Sequence, residues 1–454
     1  MLIEKVKSAG IAHNSYFIGS NNEAAVIDPR RDCDVYLDIA RAHNMRITHI
    51  FETHRNEDYV IGSQELASLS GAEIYHGAKL DFAYGRSAFH GDEFRIGELG
   101  LTVLETPGHT DESLSVVARE KPGSEPLMIF TGDALLAGDA GRTDFYGPEN
   151  RTRMSTLLYE SIFEKILPLG DGVIVCPAHG AGSVCGKSIA DREYTTIGFE
   201  KKTNPLLAMT RDEFIRAKST EHHYYPPYFR KMEELNKNGA PRLRHLPEPV
   251  ALSPADVEQL RTGIVQMIDI RSLTGFAGAH IPGSLSLPRE ILPVYAGWLI
   301  RYEDPIVLID DYNHGLHDIV SALIRLGYDN VIGYLANGFP AWFRSGGAMA
   351  SVGLLDATAT RDKIQSGAPF LLDVRPLEAW ETKGHIPGAR HIYLGELPDR
   401  IAEIPAAGEI VVYCDAGFKG NAAASLLKKA GHDHVWNLLG GMGAWQQAGF
   451  PVER

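Results

Sequence analysis

The chain has little cysteine: four in 454 residues, Cys33, Cys176, Cys185 and Cys414. That is too few and too scattered for a disulfide framework, so the fold must rest on ordinary cores, and a reducing cytoplasm is the expected setting. Long apolar runs are also missing. No stretch approaches the ~18 residues of a membrane span, and the opening MLIEKVKSAG has no apolar signal-peptide segment. Neither a membrane nor a secretory route is expected. Basic residues are not in surplus either: 44 Lys and Arg stand against 58 Asp and Glu, a net charge of −14, which argues against a nucleic-acid partner. What remains is a globular composition, 44% hydrophobic and 22% charged. At roughly 150 residues per domain the length suggests about three domains.

The C-terminal half repeats itself. Asp269-Ile-Arg271 returns as Asp373-Val-Arg375, and His280-Ile-Pro282-Gly283 as His385-Ile-Pro387-Gly388. Ile306-Val-Leu-Ile-Asp310 returns as Ile410-Val-Val-Tyr-Cys414, and Gly338-Phe-Pro-Ala-Trp342 as Gly441-Met-Gly-Ala-Trp445. Four ordered matches at one spacing of about a hundred residues mark a domain duplication and not a solenoid. Short apolar runs such as Phe370–Val374 and Glu409–Cys414 read as buried parallel strands. Asn421–Ala430 has helical periodicity, and Gly431 ends it.

Cys414 therefore sits at a strand's C-terminal end, in the loop Cys414-Asp415-Ala416-Gly417-Phe418-Lys419-Gly420 that leads into a helix. Inward backbone N–H groups, the helix N-terminus and Lys419 would stabilise a thiolate and cradle an anionic sulfur donor. Together the Asp-x-Arg strand end, the Gly-His-Ile-Pro-Gly segment, the Cys-x-x-Gly-x-Lys loop and the terminal Gly-x-x-Ala-Trp resemble the rhodanese family over residues 250–454. The resemblance implies that Cys414 accepts a sulfane sulfur as a persulfide and passes it to a thiophilic acceptor. The first copy departs at the decisive position. Asp310 stands where Cys414 stands, and no cysteine occurs between 186 and 413. A carboxylate cannot carry a persulfide, so this copy is expected to be a spacer, an oligomer contact or a binding surface. Other chemistry through His314 or His317 is the lesser alternative.

Upstream of a Pro-rich linker near His245–Pro254 the pattern changes. Apolar strands repeatedly deliver a metal-binding type of residue at their ends: Ile47–Phe51 before His54, Leu101–Leu104 before His109, Met128–Phe130 before Asp133, and Val173–Pro177 before His179. Rigid strands can hold groups distant in sequence at one site. The ordered Pro-Gly-His-Thr, Thr-Gly-Asp and Pro-Ala-His motifs resemble the metallo-β-lactamase superfamily over residues 1–200. The fold implied is an αβ/βα sandwich, followed here by two rhodanese-type α/β domains, with expected boundaries 1–245, 246–350 and 351–454.

The superfamily's first motif is usually His-x-His-x-Asp-His. This chain has His54-x-Asn56-x-Asp58-Tyr59, so two imidazoles are lost and a dinuclear hydrolytic centre is not expected. His54, His109 and Asp133 survive as the two-histidine, one-carboxylate triad of non-haem Fe(II) oxygenases. That triad, with Gly141-Arg142-Thr143-Asp144-Phe145, resembles the persulfide dioxygenase branch, specifically members fused to tandem rhodanese domains. The resemblance implies one Fe(II) per chain, with O₂ oxidising a low-molecular-weight persulfide to sulfite and Cys414 coupling sulfite to a second sulfur as thiosulfate. Asn56 and Asp58 are expected to orient ligands. Tyr59, Arg142 and Asp144 are expected beside them or in the substrate pocket. His179 either lines that pocket or is structural. Cys185 either lies near the metal or fills core, and Cys33 and Cys176 are expected to be structural. A homo-oligomer is expected. Two other readings stand: a zinc thioester hydrolase of the glyoxalase II type beside an unrelated sulfurtransferase, and a sulfur-carrier module on a degenerate scaffold.

Overall fold

The computed structural model describes residues 1–8 and 10–454. They form two compact units: Met1–Leu246 with Ile324–Gly327, and Pro247–Leu323 with Tyr328–Arg454.

The first unit holds two six-stranded sheets. One runs in chain order through Leu2–Ser8, His13–Ser20, Glu23–Ile27, Arg46–Phe51, Glu73–Gly77 and Arg86–Ala88. The other is ordered Thr195–Thr196, Ile174–Pro177, Met128–Gly132, Leu114–Arg119, Leu99–Glu105 and Glu93–Ile96. Successive side chains on a strand point to opposite faces, and here both faces are apolar. Tyr16, Ile18, Ala25, Ile27, Val116, Ala118, Met128 and Phe130 meet in one core. Their neighbours Phe17 and Val26 pack instead on Tyr36 and Leu66, which lie on the helices Asp34–Ala42 and Ser63–Ser70. Val117 and Ile129 pack with Leu158 and Phe214, carried by the helices Arg151–Glu160 and Arg211–Ser219. The layering is helix, sheet, sheet, helix, as the αβ/βα expectation has it. The segment after residue 200 packs on this same unit. Its helix Phe229–Asn238 places Asn236 so that Nδ2 donates to the carbonyls of Asn56 and Tyr59, while Oδ1 accepts from the Ile61 N–H.

The second unit contains two parallel five-stranded sheets with the same topology. The first is ordered Val250–Leu252, Val331–Leu335, Ile306–Ile309, Gln266–Asp269, Leu285–Ser286. The second is ordered Gly353–Leu355, Val435–Leu438, Ile410–Tyr413, Phe370–Asp373, Arg390–His391. The repeated motifs are structural fasteners. Arg271 forks onto Asp269 and donates to the Ala279 carbonyl; Arg375 forks onto Asp373 and donates to the Gly384 carbonyl. Trp342 and Trp445 each donate an indole N–H to a carbonyl six residues on. The two copies touch at the helix that follows Cys414: Asn421 Nδ2 donates to Ser286 Oγ at 2.8 Å, and the Ser286 N–H donates to Ser425 Oγ at 3.1 Å.

Candidate metal centre and sulfur-transfer loop

The strand ends of the first unit bring His54, His109, Asp133 and His179 together, all buried. A chain of hydrogen bonds fixes the ring of His54. Asp28, in the left-handed backbone region at φ 51, accepts from the Thr53 N–H and from Thr53 Oγ1, both at 2.7 Å. With its proton committed to Asp28, Thr53 Oγ1 must accept from His54 Nδ1 at 2.9 Å. This leaves the Nε2 lone pair of His54 facing inward. His109 is set the same way, because its Nδ1–H donates to the Arg142 carbonyl at 3.0 Å. Both Nε2 atoms are buried without a hydrogen-bond partner among the described residues. Gly132, at φ 52, makes room for this chain; a Cβ there would stand 2.6 Å from Thr53 Oγ1.

Asp133 Oδ2 lies 3.4 Å from His109 Nε2 and 3.8 Å from His54 Nε2. That spacing suits donors sharing one ion at roughly 2 Å each. Burial opposes charge on Asp133, but His179, His109 and His54 outweigh it and hold the carboxyl well below its usual range. Burial presses the His54 imidazole down to about 3, so it stays neutral, the form a metal needs. Orphaned inward nitrogens, ordered tautomers and an ionised carboxylate together fit a divalent metal.

The remaining candidates divide. Asn56 turns its Nδ2 back to the His54 carbonyl at 3.1 Å. Tyr59 packs on His13 at 3.9 Å with the rings tilted by 35°, and its hydroxyl donates to the Asp28 carbonyl at 3.4 Å. Asp58 Oδ2 lies 2.9 Å from His179 Nε2, and His179 Nδ1 lies 2.8 Å from Asp133 Oδ1. Asp58 and His179 therefore form a buried row that leads off the triad's Asp133. Cys185 joins it: its sulfur lies within 4.8 Å of donor atoms of Asp58 and His179, and of His109 and Asp133. Burial holds its thiol protonated. Burial likewise pushes the Cys176 thiol up to about 12, away from any reactive form. Arg142 is fully buried, paired bidentately to Asp144 at 2.7 and 2.8 Å, and its NH1 reaches the Val184 and Tyr224 carbonyls. Its guanidinium serves the frame, and its carbonyl orients His109.

Sequence reasoning missed Asp28, Thr53, Asn236 and Glu57. Glu57 is fully buried, with Oε2 at 3.6 Å from His109 Nε2. Burial raises its carboxyl, against the pull of His109 and Arg55. The available signal was a second acidic residue, beside Asp58, in the His54–Tyr59 loop.

In the second unit Cys414 ends the strand Ile410–Tyr413 and is almost fully buried. The Gly417 N–H donates to its sulfur at 3.1 Å, and the helix Phe418–Lys429 begins immediately after. Lys419 does not reach the sulfur: its Nζ pairs with Asp415 Oδ2 at 2.6 Å, one turn away. The start of the helix Gly441–Gln447 clamps the loop, with the Met442 N–H on the Cys414 carbonyl at 2.7 Å. Only a glycine fits at 441, where φ is 55 and a Cβ would meet the Cys414 carbonyl oxygen at 2.2 Å. In the first copy Asp310 takes the cysteine's place and binds Arg289 at 2.9 Å. Arg289 also holds the Gly315 and His314 carbonyls, so the loop is pinned by an ion pair.

Residues 9–179 match the Metallo-beta-lactamase superfamily, and residues 253–345 and 356–448 match the Rhodanese-like domain. The chain is similar to "Persulfide dioxygenase ETHE1, mitochondrial" of Homo sapiens, 30% identical over 214 residues, covering 44% of this chain and 74% of that protein. It is also similar to "Hydroxyacylglutathione hydrolase GloC" of Haemophilus influenzae, 27% identical over 230 residues, covering 46% and 98%. A solved metallo-beta-lactamase from Staphylococcus aureus subsp. aureus COL superposes with a TM-score of 0.65 at 29% identity, covering 74% of this chain and 99% of that one.

Proposed function

This chain belongs to the metallo-beta-lactamase superfamily, among homologues of the persulfide dioxygenases, and carries two tandem rhodanese-like domains; from that premise we propose that it oxidises low-molecular-weight persulfides with O₂ and transfers sulfur through Cys414. The working division is 1–245 for oxidation, 246–350 for an inactive copy and 351–454 for transfer. The observation that carries the oxidative reading is the convergence of His54, His109 and Asp133, with Asp133 Oδ2 at 3.8 and 3.4 Å from the two Nε2 atoms, where Asn56 and Tyr59 stand in place of two imidazoles. Fe(II), when bound there, would supply O₂ activation at the positions the protein leaves free.

The protein's own part is to hold the ligands and the protons. Thr53 and the Arg142 carbonyl keep both imidazoles in the tautomer that offers Nε2. Overall, one persulfide, one O₂ and one water give a thiol, sulfite and two protons. At the second centre the Cys414 thiolate, helped by the Gly417 N–H, attacks the outer sulfur of a sulfane donor. The new bond joins Cys414 Sγ to that sulfur, and the donor's own S–S bond breaks to release its thiolate. Sulfite then attacks the outer sulfur, forming thiosulfate and returning the Cys414 thiolate. Tethering both centres on one chain raises the local concentration of sulfite. All four cysteines are free, which suits a reducing compartment such as the cytoplasm.

The test is alanine substitution of His54, His109 and Asp133 one at a time. Each is expected to abolish iron binding and O₂ uptake while sulfur transfer by Cys414 persists; full oxidation by any of them would overturn the triad. A second reading, zinc-dependent thioester hydrolysis, draws on the GloC relative and on the Asp58–His179 row beside the triad. It requires zinc and no O₂ consumption.

A further inference from the structure

We propose that Glu57 is a fourth protein ligand to the metal of the first unit, filling one of the three positions that His54, His109 and Asp133 leave free. Its side chain is fully buried, yet Oε2 has no hydrogen-bond partner among the described residues. It shares a cluster with His54 and His109 in which one donor atom from each lies within 4.8 Å of the others. The direct distance to His109 Nε2 is 3.6 Å, too long for a hydrogen bond. The Nδ1–H of that ring is committed to the Arg142 carbonyl, so Nε2 is the nitrogen it turns toward Glu57. Glu57 Oε2 and His109 Nε2 thus face each other, both buried and neither hydrogen-bonded among the described residues. A buried carboxylate left so is costly, and a shared cation removes the cost.

The other oxygen explains why Glu57 points inward. Arg55 NH2 holds Oε1 at 3.4 Å and is itself shared with Glu233 at 3.3 Å. Arg55 therefore orients the carboxylate and leaves Oε2 for the cluster. Asn236 fixes the backbone on either side of it through the Asn56 and Tyr59 carbonyls. With two imidazoles and two carboxylates the ligand set neutralises a divalent ion. Oxygen-rich donors of this kind favour Fe(II) or Mn(II) over softer ions. Two positions then remain, enough for one sulfur ligand and one O₂. The inference rests on the reading of His54, His109 and Asp133 as ligands and is independent of the reaction catalysed.

The experiment titrates the full-length apoprotein, without O₂, with Co(II) and with Fe(II) against a chromophoric chelator, and records the visible d–d spectrum of the Co(II) protein. Wild type, His109→Ala, Glu57→Gln and Glu57→Asp are compared, with thermal unfolding of each apoprotein confirming the fold. Glu57→Gln keeps the side chain's size but loses its charge; Glu57→Asp keeps the charge but falls short of the ion. Both are expected to weaken binding by at least about tenfold, the low end of what lost support around a metal costs, and to change the Co(II) spectrum as coordination number changes. Unchanged affinity and spectrum in both Glu57 variants overturn the inference while leaving the triad standing, provided His109→Ala loses the metal. Weaker binding with an unaltered spectrum also overturns it, since Glu57 would then act through His109. Metal bound normally by His109→Ala would instead refute the triad itself.

Discussion

Replacing Thr53 by valine removes one hydroxyl and almost nothing else. The side chain keeps its branched shape, and the backbone N–H keeps its bond to Asp28 Oδ1. Two contacts disappear: the 2.7 Å bond donated to Asp28 Oδ2 and the 2.9 Å bond accepted from His54 Nδ1. Leaving such buried groups unpaired costs about 1–3 kcal/mol, so the apoprotein should unfold at a lower temperature. The larger consequence is electronic. Without an acceptor at Nδ1 the His54 ring gains access to the other tautomer, which points an N–H where the metal requires a lone pair. Loss of such a partner typically lowers metal affinity about 10–100-fold, or about 1.4–2.8 kcal/mol. Asp28 should move too. Burial already raises its carboxyl to about 7, and the Thr53 bonds oppose that rise. A chelator-competition titration beside a thermal scan of apo and metal-loaded protein reads both effects. Affinity within twofold of wild type would show that Thr53 does not set the His54 tautomer.

Other perturbations separate the two centres. Cys414→Ser should abolish sulfur transfer and leave persulfide-dependent O₂ uptake intact, so that chromatography finds sulfite where the wild type makes thiosulfate; wild-type thiosulfate, after subtracting the uncatalysed reaction, would contradict this. Asp310→Ala should leave transfer from thiosulfate unchanged, since that carboxylate anchors Arg289 and the Asp311 N–H within its own loop; loss of transfer in a folded variant would show that the first copy takes part. His280 is buried against Phe276, ring on ring at 3.9 Å, and burial lowers its imidazole to about 4. The unfolded chain takes up that proton below about 6.5. The stabilisation is therefore fully present above about 6.5 and is lost as pH falls to about 4, by up to about 3 kcal/mol. His280→Gln should flatten this acid dependence in calorimetric unfolding, and an unchanged slope would refute the assignment.

The parts of the molecule legible in the sequence are those where periodicity and spacing have a fixed structural meaning. Buried parallel strands such as Ile306–Ile309 and Ile410–Tyr413 read as apolar runs, and the repeat spacing carried the same sheet order into both copies. His54, His109 and Asp133 were visible because each follows a strand end. Irregular loops have no such period. In Asn56-Glu57-Asp58, which side chain turns inward is decided by Arg55, Glu233 and Asn236, the last of these 180 residues from Asn56. Arg142 and Lys419 were recognisable as charged residues of their motifs, but their nearest carboxylates, Asp144 and Asp415, claim them. The Asp310–Arg289 pair was hidden for a related reason: Arg289 lies outside the loop it pins, and the residue at its place in the second copy, Leu394, is uncharged.

The central claim is that the first unit performs oxidation at iron. The direct measurement loads the anaerobic apoprotein separately with Fe(II) and with Zn(II), determines the bound metal per chain, and follows O₂ in an electrode after adding a low-molecular-weight persulfide. The account predicts one Fe(II) per chain, O₂ uptake that requires both iron and persulfide, and sulfite as the oxidised product. A zinc-loaded protein that hydrolyses thioesters, beside an iron-loaded protein that consumes no O₂, would contradict it.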